Sequence, residues 1–113
     1  MKIFSFLDDS PVVRDYEVID FKKWESGFYY KIRVNLMSDD LLFVREYSDE
    51  KDRHYSFHWQ DNQAQLIVRW DNAPHHPHLK TYPHHKHRQG TIEKSRDITL
   101  EEVLNYITKQ KKS

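Results

Sequence analysis

Short runs in which apolar and polar residues alternate, separated by polar turns, predict an α+β fold. The expected architecture is an antiparallel β-sheet meander of five to six strands with a C-terminal α-helix and a long His-rich loop. Two further observations carry the prediction. Aromatic residues make up 14% of the chain, which favours sheet over helix through most of its length. The end of the chain, by contrast, carries a capping signature followed by apolar residues at helical spacing.

Asp8-Asp9-Ser10-Pro11 is a turn signal, after which Val12 to Phe21 reads as a first strand of β-branched residues among charges. From Phe28 the alternation is clean. Phe28, Tyr30, Ile32, Val34 and Leu36 share one face, and Tyr29, Lys31, Arg33, Asn35 and Met37 the other. Leu41 to Tyr47 follows as a third strand and Arg53 to Gln60 as a fourth, with Tyr55, Phe57 and Trp59 opposite His54, Ser56 and His58. Gln65 to Trp70 is the fifth. Connections this short exclude parallel crossovers.

Residues 71–92 then read as a functional loop with three prolines and no period, held at its start by Trp70-Asp71-Asn72-Ala73-Pro74. Thr91-Ile92-Glu93 offers a short sixth strand. The helix is expected over residues 99–109, with Thr99 as N-cap, Glu102 completing the capping box, and Ile98 and Val103 as the hydrophobic staple. Leu100, Val103, Leu104 and Ile107 form the stripe that covers a sheet face. A chain of 113 residues suits a single domain.

Composition removes several functions. Eighteen basic and eighteen acidic residues cancel, so any affinity for nucleic acid must come from a local asymmetry. Without cysteine, disulfide scaffolds, thiolate zinc sites and cysteine nucleophiles are excluded. No apolar run has the length of a signal peptide or membrane span, which predicts a cytoplasmic protein without a membrane partner.

The local asymmetry lies between Asn72 and Ile92, which holds six of the eight histidines and no Asp or Glu. Imidazoles titrate near neutrality and suit proton transfer, metal ligation or anion binding. His75, His76, His78, His84, His85 and His87 include pairs able to converge on zinc or nickel, but Lys80, Lys86 and Arg88 among them repel a divalent ion. No resident metal is therefore expected, a divalent ion at the loop being the alternative. Metal-free cleavage of a phosphodiester needs one imidazole to take the 2′-hydroxyl proton, another to protonate the leaving oxygen, and a cation to stabilise developing charge. His76, His85 and His87 are the candidate proton carriers, Lys86 and Arg69 the charge stabilisers, and Asp71 the carboxylate that orients an imidazole. His75, Asn72, Arg33, Arg88 and Tyr82 are candidates for holding substrate. If the strands pair in order, Lys31, Arg33, Arg45, His54, His58 and Arg69 form a basic patch beside the loop, with Tyr29 and Tyr47 placed to stack bases.

His58-Trp59-Gln60-Asp61, the run from Leu66 through Arg69-Trp70-Asp71-Asn72-Ala73-Pro74-His75-His76-Pro77, and Tyr82-Pro83-His84-His85-Lys86-His87 together resemble the signature of the TumE family of prokaryotic toxin–antitoxin proteins. The resemblance implies a toxin partnered by a helix-turn-helix antitoxin, and by position it emphasises Arg69, Asp71, Asn72, Pro74, His75, His76, Pro77, His85, Lys86 and His87. It leaves the target open. The combined expectation is a toxin that acts on RNA through metal-independent histidine chemistry, with homodimerisation compatible. The alternative is a non-enzymatic module whose loop binds a metal ion or a protein.

Overall fold

The computed structural model describes residues 1–74 and 78–112, the side chain of Lys112 excepted. The described residues form nine elements in order: α1 (Lys2–Asp9), β1 (Val13–Trp24), β2 (Gly27–Leu36), β3 (Leu41–Ser48), β4 (Arg53–Gln60), β5 (Leu66–Asp71), β6 (His85–Arg88), β7 (Thr91–Lys94) and α2 (Leu100–Lys112). All seven strands form one antiparallel sheet in sequence order. The meander, its order and the C-terminal helix agree with the sequence prediction. The strand count is a correction, from five to six to seven, and α1 is an addition. Ile3, Phe4, Phe6 and Leu7 give α1 an inward stripe, and Leu7 is buried against the core. Eight residues are too short a window for that periodicity to stand out.

Within residues 71–92, expected to be a loop, His85–Arg88 is a strand, and a two-residue turn joins it to β7. That turn, Gln89-Gly90, has φ of 49° and 82°, the doubly left-handed pattern that matches strand twist. Glycine serves one of its positions without strain, but Gln-Gly is a weaker hairpin signal than Asn-Gly or Asp-Gly. The strand itself, His-Lys-His-Arg, has no β-branched or apolar residue to betray a buried face. His75, His76 and Pro77 lie outside the described residues.

One sheet face is the core. Tyr30, Ile32, Val34, Leu42, Val44, Phe57, Trp59, Val68 and Trp70 are buried there, beneath Leu100, Val103, Leu104 and Ile107 of α2. Thr99 Oγ1 accepts from the Glu102 N–H at 3.3 Å while the Glu102 carboxylate accepts from the Thr99 N–H, so the predicted capping box forms. Arg53 fastens the helix start to the sheet. Its Nη2 donates to the Ile98 carbonyl at 2.7 Å, its Nε donates to Glu46 at 2.7 Å, and its Nη1 pairs with Asp97. Burial and the Glu46 carboxylate together push the Tyr30 hydroxyl, which donates to Glu46, well above the ordinary tyrosine range. Among the described residues, no helix is long and apolar enough to cross a membrane. The helices leave the other sheet face open, and that face presents the site.

Candidate functional site

Register builds the site. Directly paired residues of an antiparallel sheet share a face, with neighbouring strands about 4.8 Å apart. One row crosses the open face as Glu17, Arg33, Phe43, His58, Arg69 and His87. The adjacent row is Asp20, Lys31, Arg45, Ser56, Asp71, His85 and Lys94. A third holds Tyr29, Tyr47 and His54. The basic patch anticipated from in-order pairing is thus one surface with the imidazoles of β6. Two hollows open on it, of about 190 and 380 Å³, and both are lined by Arg45, Ser56 and Arg69.

Asp71 organises the imidazole end. Its Oδ1 lies 2.7 Å from His85 Nε2 and accepts from the Ala73 N–H at 3.1 Å, the Asx turn that starts the following loop. Its Oδ2 accepts from Arg69 Nε at 3.1 Å and lies 3.7 Å from His87 Nε2. Asp71 and His85 are buried, their side chains 8% and 2% exposed, whereas His87 is 28% exposed. His85 Nδ1 is 2.9 Å from the Pro83 carbonyl, which only accepts, so Nδ1 carries hydrogen. His85 therefore has both ring nitrogens engaged inside the protein, and the ring that meets solvent is His87, packed edge-on against His85 with centroids 4.9 Å apart.

Arg69 extends the network to β4. Its Nη1 donates to His58 Nδ1 at 3.3 Å, and His58 Nε2 donates to Gln60 Oε1 at 3.1 Å. Those roles fix a neutral His58 ring. Burial first, and then the Arg69 charge, hold its pKa below 6.5, partly offset by the Gln60 hydrogen bond. His58 and His87 thus flank one guanidinium, about 10 Å apart by strand spacing.

Other candidates fall elsewhere. Lys86 and Arg88, expected among the imidazoles, project from the opposite face of β6, because side chains alternate along a strand. Lys86 lines a cleft beside α2, and Arg88 Nη2 donates to the Tyr106 hydroxyl at 2.8 Å. Asn72 is occupied with backbone: its Oδ1 accepts from the Tyr55 N–H at 2.9 Å and its Nδ2 donates to the Arg53 carbonyl at 2.7 Å, extending the β4–β5 pairing by one side chain. Tyr82 is exposed on the turn before β6. His84 stacks on Tyr55, whose hydroxyl is 3.0 Å from its Nδ1. His78 is exposed, and candidates His75 and His76 lie outside the described residues. Sequence reasoning placed His58 in the basic patch and not among the proton carriers. Its sequence distance from the other histidines hid a pairing that only the β4–β5–β6 register makes visible.

Asp71, His85 and His87 offer ligand atoms within 4.8 Å of one another, a two-histidine, one-carboxylate set of the kind that binds transition metals. The Pro83 carbonyl on His85 Nδ1 is the customary outer support of a metal-binding imidazole. Arg69 on the same carboxylate opposes a cation, so the set fits a metal in its donors and less well in its charge.

These features define a small α+β protein with an Asp–His–His cluster on the open face of an antiparallel sheet. The family model described as Toxin TumE matches residues 3–111, and the chain belongs to that toxin family, which implies an antitoxin partner. Neither a curated protein nor a solved structure shows significant similarity to it.

Proposed function

We propose that this TumE toxin cleaves RNA by metal-independent acid–base chemistry, on the row His58–Arg69–His87. The observation that carries the reading is that two imidazoles, on β4 and β6, flank the guanidinium on the β5 strand between them, on a face that also holds Lys31, Arg33 and Arg45 for phosphates and Tyr29, Phe43 and Tyr47 for bases. His58, neutral and hydrogen-bonded through Nε2, takes the 2′-hydroxyl proton on Nδ1 once Arg69 turns its Nη1 from that nitrogen to the phosphate. The 2′-oxygen attacks phosphorus, the bond to the 5′-oxygen breaks, and His87 donates the proton that this oxygen needs. The products are a 2′,3′-cyclic phosphate and a 5′-hydroxyl. Asp71 and His85 are positioning residues: buried, they hold Arg69 and His87 in register.

The test is incubation of metal-stripped protein with total RNA at near-neutral pH under chelator, beside His87→Ala and His58→Ala. Cleavage by the parent alone, ending in cyclic phosphate, is expected. Intact RNA in every lane overturns the reading.

The geometry of Asp71, His85 and His87 favours one alternative, a metal-binding module. One bound zinc or nickel per chain, lost in His87→Ala, together with activity that falls on chelation, would select it. A partner antitoxin of the helix-turn-helix class belongs to either reading.

A further inference from the structure

On the reverse side of the sheet a cleft of about 670 Å³ runs between α2 and the β6–β7 hairpin. Its size is that of a small-molecule site. Lys86 and Lys109 line it, and neither has an ion-pair partner among the described residues. Two acids beside the cleft are already engaged. Glu102, the carboxylate in the cleft wall, pairs with Arg96 through Oε2 and closes the Thr99 capping box through Oε1. Glu93, opposite Lys86 in the hairpin, has its Oε2 3.8 Å from Arg88 Nε.

The remaining wall suits a ring. Tyr106 is locked edge-on against Trp59 and Trp70, with centroids 6.3 and 5.5 Å away, and its hydroxyl oxygen accepts from Arg88, which leaves the hydroxyl hydrogen for a ligand. Lysine ammoniums bind phosphate as point charges. We infer that this cleft binds a nucleotide phosphate, separately from the face that carries His58, Arg69 and His87. The sheet itself stands between the two sites, because Lys86 points away from His85 and His87 on the same strand. Two sources share this chemistry: a free nucleotide, or the end of an RNA strand that rounds the β7 edge.

Calorimetry on the full chain distinguishes them, with adenosine monophosphate as one probe and a 5′-phosphorylated, 2′-O-methyl RNA hexamer as the other. The hexamer lacks the 2′-hydroxyl and is not cleaved, so binding is read apart from any ribonuclease activity. The variants are Lys86→Gln/Lys109→Gln in the cleft and, on the open face, Arg33→Gln/Arg45→Gln. A free-nucleotide site predicts that adenosine monophosphate binds the parent and loses at least tenfold affinity in the Lys86/Lys109 variant alone. An RNA-end site predicts no binding of the monophosphate and at least a tenfold loss for the phosphorylated hexamer in the Lys86/Lys109 variant, absent for the same hexamer with a 5′-hydroxyl. The inference is overturned if neither probe binds the parent, or if the Lys86/Lys109 variant binds both as the parent does. That variant, altered at side chains with no salt-bridge partner among the described residues, is expected to keep the parent's melting temperature.

Discussion

The two faces of β6 divide the chemistry of the chain. His85 and His87 face the open side with Arg69 and Asp71, and Lys86 and Arg88 face α2. In sequence His85, Lys86, His87 and Arg88 are one basic block; in the sheet they fall on two faces. Even within the open face, the two imidazoles differ. His85 is buried with both nitrogens engaged, and His87 is partly exposed. Two positions along one strand therefore separate an imidazole that meets solvent from one enclosed by the protein. The sharpest way to break the comparison is His87→Ala. Removal of a general acid costs on the order of 10²–10⁴ in rate, with a melting temperature close to the parent's because the ring is partly exposed. Equal losses of stability in His87→Ala and His85→Ala would erase the distinction.

Arg69→Gln comes next, expected to lower cleavage by about 10²–10³ through loss of charge stabilisation. It also carries a signature that a structural role lacks. Burial and Arg69 both hold His58 below its ordinary pKa of 6.5, so the base form persists to lower pH than a free imidazole would. Removing the guanidinium raises that pKa, and the acid limb of the kcat/KM profile moves to higher pH. A limb that stays fixed takes His58 out of the base role. The same shift links to stability. A depressed histidine pKa contributes stability that is complete above 6.5 and is lost as pH falls through the folded value.

His85→Ala reads on folding. Asp71 would keep Arg69 and the Ala73 N–H but lose its 2.7 Å partner inside the protein. The cost of breaking a buried pair is on the order of 3 kcal/mol, seen as a melting temperature lower by roughly 10 °C. A variant as stable as the parent would mean that the pair sits in water.

The contrast between β2 to β4 and residues 71–94 shows where sequence patterns carry structure. Tyr30, Ile32, Val34 and Leu36 announce their face because they are buried and apolar at period two. In β6 the period is the same but is written in imidazole, ammonium and guanidinium, so hydrophobic patterning is silent and only pairing with β5 reveals the strand. The candidate site was legible in residue type, since Asp71, His85 and His87 are drawn from the histidine-rich stretch and its anchor, and Arg69 from the strand just before it. Its partition was not legible, and neither was the approach of His58, which depends on long-range register. Local signals fared better, as Thr99 and Glu102 illustrate: both halves of the capping box lie within one turn. Thr99→Ala should therefore cost about 1 kcal/mol in chemical denaturation and leave cleavage untouched.

The smallest effect on cleavage is expected from Arg88→Gln, which tests the division of β6 from its other side. Sequence reasoning set Arg88 on the phosphate, beside His87. In the fold its guanidinium donates to Tyr106, and its Nε is buried without a hydrogen-bond partner among the described residues. Glutamine removes that unmet donor along with one hydrogen bond, two terms of similar size and opposite sign, so stability should move by less than about 1 kcal/mol. Cleavage should stay within about twofold of the parent, and the salt dependence of RNA binding should be unchanged, because no phosphate contact is lost. A lower affinity with a flatter salt slope would instead put Arg88 back on the substrate, and would require RNA to reach both faces of a four-residue strand.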